Sequence, residues 1–351
     1  KLYEDAAPAI EDGSAHFQAS TYSGNGSSNE INQSGNSNFQ PDLVWLKERS
    51  GGNHGTLIDA VRGANKGLYS SLTFVEYTES NLSFDADGFS LTTTGSAAQV
   101  NASSQTYIGW QWLAGNATST PSGGSVSSTV SVNQTAGFSI VSWTGTGANA
   151  TVAHGLGATP QVVIVKNRSV AGGWYVGHAS AGFNYEVRLD ENGARAGSAT
   201  LFNETNPTST VFTVGSAAGT NGSTNDMIAY CWCEKPGFSK FGSYEGNGNA
   251  NGPVVSVGFK PAWTLIKNID ASGDSWVLQD NAREPHNAVV KMLQPDQNAA
   301  EVDSSGFALD YLSNGFKVRG TEHNTNESNK TYIYMAFAEN PFAGTTPATA
   351  R

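Results

Sequence analysis

The stretch Phe259-Lys-Pro-Ala-Trp-Thr-Leu-Ile-Lys267 decides the fold, because two closely similar stretches occur elsewhere in the chain. They are Phe39-Gln-Pro-Asp-Leu-Val-Trp-Leu-Lys47 and Ala158-Thr-Pro-Gln-Val-Val-Ile-Val-Lys166, and in all three the lysine lies six residues after the proline. The residues between them are mostly β-branched, aromatic or long aliphatic. Such a short apolar run predicts a strand that is buried on both faces. The proline is tolerated at the start of the strand, where its missing N–H need not join the ladder.

The same landmarks flank each of these stretches. An aromatic residue followed by a Gly-x-Gly turn precedes each one: Tyr22-Ser-Gly-Asn-Gly26, Trp143-Thr-Gly-Thr-Gly147 and Tyr244-Glu-Gly-Asn-Gly248. An aromatic strand follows each one: Tyr107-Ile-Gly-Trp-Gln-Trp112, Met227-Ile-Ala-Tyr-Cys-Trp232 and Tyr332-Ile-Tyr-Met-Ala-Phe337. Because the landmarks recur in the same order, the sequence predicts a threefold internal repeat of roughly 100 residues.

The predicted fold is all-β, with three tandem antiparallel β-sandwich repeats of a jelly-roll or lectin-like kind. Charged residues make up 14% of the chain, against about 25% in an ordinary soluble protein. The chain contains 40 glycines. This composition is typical of many short strands joined by turns, and no segment shows a sustained helical period with caps.

The predicted domain boundaries follow the landmarks. They are an N-terminal arm at 1–14, repeats at 15–115, 136–235 and 236–343, a Ser/Thr/Gly-rich linker at 116–135, and a C-terminal tail at 344–351. Because only the first two repeats are separated by a linker, we expect the first repeat to be hinged and the other two to pack rigidly. The first repeat holds the longest insertions, including residues 71–79. The start at Lys1 rather than at methionine is expected of a processed or shortened N-terminus.

The charge balance restricts the partners. The formal net charge is -11, which disfavours a protein that binds nucleic acid through a basic surface. No apolar run approaches the length of about 20 residues that spans a bilayer, so we expect no membrane insertion. Cys231 and Cys233 align with non-cysteine residues in the other repeats, which indicates that they fill space and form no disulfide.

Together, these motifs resemble a family of repeat proteins in the virions of marine bacteriophages. The motifs that carry the resemblance are the Gly-Asn-Gly turns, Phe39 to Lys47, Asp59-x-x-Arg62-Gly63, His154-Gly-Leu-Gly157, Leu312-Ser-Asn-Gly-Phe316 and Ala336-Phe-Ala-Glu-Asn-Pro-Phe342. Members are often labelled tail-fibre or structural proteins, and their function is unassigned. The resemblance covers residues 17–342 and implies a protein on the outside of a phage particle, with no catalytic residues. The second repeat departs from the pattern, with His178 and Ala181 where the others have Asp and Arg.

The expected function is that of a structural virion component, a tail fibre, capsid fibre or decoration protein. We expect it to self-associate and to contact other virion proteins, with a host surface glycan as a further partner. A homotrimer is favoured by analogy with fibres in general. An alternative is a carbohydrate-binding or lectin-like module. A polysaccharide depolymerase is a weaker alternative, because candidate acids such as Asp59 and Asp280 lie on different repeats.

Two groups of residues are candidates for sites. The first and third repeats each carry a lysine, an aspartate and an arginine that we expect to form a partly buried salt bridge: Lys47, Asp59 and Arg62, and Lys267, Asp280 and Arg283. Residues at the Gly-x-Gly turns are candidates for glycan or partner binding, with their aromatic rings expected to be exposed: Tyr22, Asn25, Trp143, Tyr244 and Asn247.

No catalytic residue, metal site or cofactor is predicted. Asp85-x-Asp87 and the acidic pair Asp270 and Asp274 lack the further ligands of a calcium loop and are typical of turns. Triplets of the form Asn-x-Ser/Thr, such as Asn101-Ala-Ser, are expected from a composition so rich in these residues.

Overall fold

The computed structural model describes residues 10–78, 82–92 and 99–339. This part of the chain is all-β, with antiparallel sheets joined by loops and a few single helical turns. The helical turns of the described residues include two short 3-10 helices, Gly13–Ala15 and Ser305–Phe307, and the α-helices α1 (Ala218–Asn221) and α2 (His323–Asn326). Among the described residues, no helix is long and apolar enough to cross a membrane. Residues 1–9 of the predicted arm and the predicted tail at 344–351 lie outside the described residues.

Three sheets, which we call the inner sheets, contain the repeated stretches at their centre. In spatial order, the first consists of β1 (Phe17–Ser23), β9 (Thr106–Trp112), β3 (Leu43–Glu48), β4 (Thr56–Asp59), β5 (Lys66–Tyr69) and β6 (Tyr77–Thr78). The second consists of β10 (Ser128–Asn133), β11 (Phe138–Thr144), β18 (Asp226–Trp232), β13 (Val162–Asn167) and β14 (Trp174–His178). The third consists of β19 (Ser239–Glu245), β27 (Thr331–Phe337), β21 (Trp263–Asn268) and β22 (Val277–Asp280). In each sheet the aromatic closing strand pairs with the strand that the repeated apolar stretch forms.

Each inner sheet has a smaller outer sheet beside it in sequence. The outer sheets are β2 (Asn29–Asn32), β8 (Gly88–Leu91) and β7 (Leu82–Asp85); β12 (Ala150–Ala153) and β17 (Val211–Val214); and β20 (Val254–Ser256), β26 (Gly315–Val318) and β25 (Leu309–Leu312). Two further two-stranded sheets lie in connecting loops: β15 (Tyr185–Glu186) with β16 (Ala196–Gly197), and β23 (Lys291–Met292) with β24 (Val302–Asp303).

Every residue of the central strands β3, β13 and β21 is buried, so the predicted burial on both faces is confirmed. In β3, Leu43 and Trp45 belong to one hydrophobic cluster, whereas Val44 and Leu46 belong to another that contains residues of the first outer sheet. This alternation follows from the two-residue period of a strand. Each inner sheet therefore has one face toward its own outer sheet and one toward a second core.

The second core is shared by all three inner sheets. Trp112 of the first sheet lies 6.3 Å from Trp232 of the second and 5.8 Å from Trp263 of the third, measured between ring centroids. Phe337 is 5.9 Å from Trp112. These rings belong to one continuous cluster of buried residues. Because apolar burial is the main stabilising contribution to folding, this shared core ties the inner sheets together.

The predicted linker at 116–135 is wrong for its second half. Strand β10 pairs with β11, Val130 is fully buried opposite Val141, and Ser128 is also buried. The alternating Val-Ser-Val pattern in this segment is a strand pattern, which its Ser- and Thr-rich surroundings obscured. The predicted hinge after the first repeat is also wrong, because the first inner sheet packs into the shared core. Ile10, which lies in the predicted arm, is buried in that core as well.

Candidate functional site

The Gly-x-Gly turns have one geometry in all three places. A side-chain Cβ on the first glycine would lie 2.1 to 2.3 Å from a backbone oxygen at Gly24, Gly145 and Gly246. The second glycine has a φ of 65° to 70° at Gly26, Gly147 and Gly248. The first position is therefore glycine because the backbones approach closely. The second is glycine because its conformation disfavours L side chains.

A buried asparagine holds each of these turns. The Oδ1 atoms of Asn101, Asn221 and Asn326 accept hydrogen bonds of 2.9 to 3.1 Å from the backbone N–H between the two glycines. The backbone oxygens of the same asparagines accept from the second glycine. All three are fully buried. Each begins an Asn-x-Ser triplet five residues before a closing strand, so composition alone does not explain these triplets.

The prediction that the turn aromatics are exposed is wrong. Trp143 is 4% exposed and Tyr244 is 8% exposed. The Tyr244 hydroxyl donates a 2.7 Å hydrogen bond to the Thr325 carbonyl, and the partly buried Tyr22 donates one of 2.8 Å to the Val100 carbonyl. These rings pack against the inner faces of the outer sheets, because they occupy inward-facing positions of their own strands.

The side chains at the exposed tips of the turns form hydrogen bonds within the turns themselves. Asn25 Nδ2 donates to the Ser28 carbonyl, and its Oδ1 accepts from the Ser27 N–H. Asn247 Nδ2 donates to the Asn251 carbonyl in the same manner. These side chains are therefore placed as turn-forming groups.

The Asp-x-x-Arg elements form buried ion pairs that continue into neighbouring sheets. Arg62 binds Asp59 and approaches Glu76 to 3.3 Å, and both the Asp59 and Arg62 side chains are fully buried. Glu76 in turn binds Arg168, which directly follows β13 of the second inner sheet, with contacts of 2.7 and 3.0 Å. The opposite charges therefore alternate along a chain of four side chains, which satisfies charges that burial would otherwise penalise.

The third repeat has the equivalent chain of charges. Arg283 binds Asp280 at 2.7 Å and Glu301 at 3.0 Å. Glu301 then binds Arg49, which directly follows β3 of the first inner sheet, with contacts of 2.9 and 3.0 Å. Carboxylates and arginines thus link the third sheet to the first, as they link the first to the second.

The predicted inclusion of the lysines in these ion pairs is wrong. Lys47 Nζ donates to the carbonyls of Asn53 and Gln297. Lys267 Nζ donates to those of Asn268 and Asp274, both at 2.8 Å. Lys166, at the same place in the second sheet, donates to carbonyls as well. Burial lowers the pKa of all three lysines to about 8.

Three equivalent loops, which we call the contact loops, carry these links. They are residues 73–76, 192–195 and 298–301. The last residue of each donates its backbone N–H to the carbonyl of the residue that follows the central strand of the next sheet: Glu76 to Arg168 at 3.0 Å, Arg195 to Ile269 at 2.9 Å, and Glu301 to Arg49 at 2.8 Å. The first sheet thus contacts the second, the second the third, and the third the first. The contacts form a closed ring.

The second repeat departs from the Asp-x-x-Arg pattern for a structural reason. Asp59 accepts a hydrogen bond from the Tyr230 hydroxyl at 2.7 Å, and Asp280 accepts one from Trp110 Nε1 at 3.0 Å. The equivalent position on the third closing strand is Met335, which has no donor. The second repeat has His178 instead of an aspartate, and its Nε2 lies 3.2 Å from the Tyr334 carbonyl. The acid and its donor are therefore absent together.

An apolar patch lies where the first contact loop meets the second inner sheet. Phe74 is 58% exposed, Val75 43% and Val170 42%, and these are three of the four large hydrophobic residues exposed in the described part of the chain. Phe74 and Val75 line a groove of about 420 Å³, together with Tyr69, Tyr77 and Ala171. The rings of Tyr69 and Tyr77 stack at 4.5 Å. The sequence signal for this patch is the insertion at 71–79, in which the apolar pair Phe74-Val75 lies between Thr73 and Glu76.

Among the residues that the structure describes, no group of three or more His, Cys, Asp or Glu side chains is placed to hold a metal ion. Cys231 and Cys233 are free and buried, and burial raises the pKa of both thiols.

Comparison with known proteins places the chain in a family. Residues 12–341 match the family model described as a domain of unknown function, DUF7483. The chain belongs to this family. No curated protein and no solved structure matches it. The DUF7483 match covers all three inner sheets and the closed ring of contacts between them, so the family domain is the whole ring.

Proposed function

We propose that the chain is a structural component of a bacteriophage particle: a tail fibre, a capsid fibre or a decoration protein on the virion surface. In this proposal it acts by self-association and by contact with other virion proteins or with a host surface glycan. Its three tandem sandwich units would be of the jelly-roll or lectin-like kind. The sequence resemblance to virion proteins of marine bacteriophages supports this role.

The observation that carries the proposal is the closed ring of contacts between the inner sheets. Arg168 with Glu76 and Arg49 with Glu301 join neighbouring sheets at bidentate geometry, while one apolar core fills the space between them. Bidentate pairs restrict orientation as well as distance. A body of this kind resists bending, which suits a protein that bears load on a particle surface. The predicted homotrimer stays a prediction.

Fractionation of particles tests this role. Antiserum against the chain is used to follow it through density-gradient purification of phage particles from the culture that produces it, before and after a high-salt wash. The proposal expects the chain to remain with the particles at a fixed ratio to the capsid protein. Recovery of the chain in the soluble fraction alone would contradict it.

A carbohydrate-binding module is the second candidate, favoured by the groove beside Tyr69, Phe74 and Tyr77. Aromatic rings with polar groups nearby are a common way to bind sugars. Thermal shift measurements with a panel of bacterial surface polysaccharides test this alternative, because a ligand that binds the folded state raises Tm. We expect no shortening of the polysaccharides, and a shortened polymer would show that the chain is an enzyme.

A further inference from the structure

The chain contains six Asn-Gly pairs, and all of them lie in its described part. Their asparagines are Asn25, Asn192, Asn221, Asn247, Asn251 and Asn314. In such a pair the asparagine is prone to modify itself, because glycine has no side chain to keep its backbone nitrogen away from the asparagine amide. The reaction also requires that this nitrogen and this amide can approach each other. Hydrogen bonds that hold either group therefore protect the asparagine.

Three of the six pairs are protected at the glycine. The backbone N–H groups of Gly26, Gly222 and Gly248 donate to backbone carbonyls at 2.8, 3.2 and 2.9 Å. The side chains of the asparagines that precede them are engaged in hydrogen bonds as well. At these three places neither reacting group is free.

Two further pairs are held in other ways. Gly315 pairs with Leu312 in the ladder between β25 and β26. The Oδ1 atom of Asn251 accepts a 2.6 Å hydrogen bond from Lys317 Nζ, which fixes the amide. The glycine that follows it, Gly252, is buried. The native structure therefore restrains both pairs.

The pair Asn192-Gly193 differs from the other five. Among the described residues, no partner forms a hydrogen bond with the Asn192 side chain or with the Gly193 N–H. Both residues are half-buried and lie in a loop without regular secondary structure. The nitrogen that attacks and the carbonyl carbon that is attacked are thus both unengaged, at a place that water can reach.

We propose that Asn192 is a site of self-catalysed deamidation, at which the Gly193 nitrogen attacks the side-chain carbonyl carbon of Asn192. The attack forms a bond between this nitrogen and Cγ and breaks the bond between Cγ and Nδ2. Ammonia leaves with the proton of the Gly193 N–H, and a five-membered succinimide remains. Water then adds to one of its two carbonyl carbons and opens the ring to aspartate or isoaspartate. One water is consumed and one ammonia is released, so the step needs no oxidant, reductant or enzyme.

The modified residue would begin the second contact loop, between the second and third inner sheets. The Asn192 carbonyl accepts a 2.9 Å hydrogen bond from the Gly273 N–H, and the Ala194 N–H donates one of 3.1 Å to Ser272 Oγ. Isoaspartate lengthens the backbone between these two groups by one atom, so the two bonds cannot keep their geometry together. It also adds a negative charge beside Glu191. Deamidation therefore weakens the contact between these two sheets.

The third contact loop offers a comparison within the chain. It begins with Asn298-Ala299, where the second loop has Asn192-Gly193. The methyl group of Ala299 hinders ring closure, so Asn298 should react more slowly. Gly193→Ala gives the second loop the same pair. A Cβ on Gly193 would lie 3.3 Å from Glu191 Oε1, a side chain that is 44% exposed and can move aside. The fold should therefore tolerate this substitution.

Peptide mapping by mass spectrometry tests the proposal on the full chain. The folded protein and the protein unfolded in guanidinium chloride are held under the same mildly alkaline conditions, and the aspartate and isoaspartate forms of each peptide are followed over time. In the unfolded chain the six pairs should react at similar rates. In the folded chain Asn192 should react about tenfold or more faster than the other five, because those react only when their hydrogen bonds open.

Gly193→Ala is the matched variant. It should slow the modification of Asn192 about tenfold or more, because the added methyl group hinders the attack. Its melting temperature before incubation should equal that of the unmodified protein. After incubation the unmodified protein should melt at a lower temperature than before, whereas the variant should not.

Three results would overturn the proposal. They are an Asn192 that stays intact in the folded chain while the unfolded chain reacts, equal rates at the six pairs in the folded chain, and a rate at Asn192 that Gly193→Ala does not lower. A melting temperature that full conversion leaves unchanged would contradict the weakening of the contact. None of these measurements depends on the virion role, which particle fractionation tests separately.

Discussion

The Tyr230 hydroxyl donates a 2.7 Å hydrogen bond to the Asp59 carboxylate, across the boundary between the second and first inner sheets. Asp59 is at the same time the ion-pair partner of Arg62, and both side chains are fully buried. A closing strand of one sheet therefore donates a hydrogen bond to a buried charged side chain of another sheet. Its counterpart, Trp110 with Asp280, joins the first sheet to the third.

Removing the donor should destabilise the fold moderately, and removing the acid should do so severely. Tyr230→Phe should lower the free energy of unfolding by about 1–3 kcal/mol, since the buried Asp59 loses a donor and the buried Arg62 loses an acceptor. Asp59→Ala should cost about 3–5 kcal/mol, because Arg62 is left as a buried charge with less compensation. Equilibrium unfolding in urea measures both. The control is Met335→Leu at the equivalent position without a donor, where about 1.5 kcal/mol or less is expected.

The sequence predicted the strands and their burial because these depend on local apolar pattern. The stretch from Phe259 to Lys267 and its two counterparts form the central strands that were expected. The sequence did not predict the partners of Lys47 and Lys267. These partners are backbone carbonyls, which every residue has, so no residue type identifies them. The contacts of Glu76 and Glu301 were also not predicted, because each is made with a sheet that is distant in the sequence.

The predicted exposure of the turn aromatics was wrong for a different reason. Trp143 and Tyr244 stand next to exposed Gly-x-Gly turns, and proximity in sequence suggested exposure. A strand, however, points successive side chains to opposite faces, so a buried ring can directly precede an exposed turn. The buried asparagines could have been found, because Asn101, Asn221 and Asn326 lie at a fixed distance before the closing strands.

The buried asparagines give a second prediction. Asn326→Ala removes the acceptor for the Asn247 N–H and the donor to the carbonyls of Asn249 and Gly320. Buried polar groups left without partners should cost about 2–4 kcal/mol in total. Asn247→Ala at the exposed tip should cost about 1 kcal/mol or less. Equal costs for the two variants in thermal or urea unfolding would contradict the assigned roles.

The buried lysines predict an unusual dependence of stability on pH. Burial lowers the pKa of Lys47, Lys166 and Lys267 to about 8 in the folded state, against about 10.4 in an unfolded chain. Between these values the unfolded chain binds more protons than the folded one. The cost of burying charged lysines is therefore fully present below pH of about 8 and is relieved as the pH rises toward about 10.

Urea unfolding at a series of pH values from about 7.5 to 9.5 tests this dependence. The buried thiols, whose pKa values burial raises, act in the opposite direction over this range, so variants are compared at each pH. The unmodified protein should gain stability relative to Lys267→Met as the pH rises, because this lysine no longer titrates in the variant. Lys317→Met is the control, since Lys317 lies on the outer sheet strand β26, and the unmodified protein should show no such gain relative to it. A stability difference between the unmodified protein and Lys267→Met that falls over this range would contradict the lowered pKa of Lys267.

The salt bridges between sheets should be energetically coupled. Arg49 and Glu301 contact each other at 2.9 Å with side chains 20% and 12% exposed. A double-mutant cycle with Arg49→Ala and Glu301→Ala should give a coupling energy of about 1 kcal/mol or more, above that of most exposed pairs. A matched cycle on Lys240 and Glu234, whose side chains are 42% and 26% exposed, should give a smaller value. Additive effects at Arg49 and Glu301 would show that this contact does not join the sheets.

The shared core is the feature on which the proposed structural role depends most. Differential scanning calorimetry of the full chain tests it directly, because one core predicts one cooperative transition. We expect a single peak in which the calorimetric enthalpy equals the van't Hoff enthalpy. A separate, earlier transition for the first repeat, with a calorimetric enthalpy well above the van't Hoff value, would contradict it.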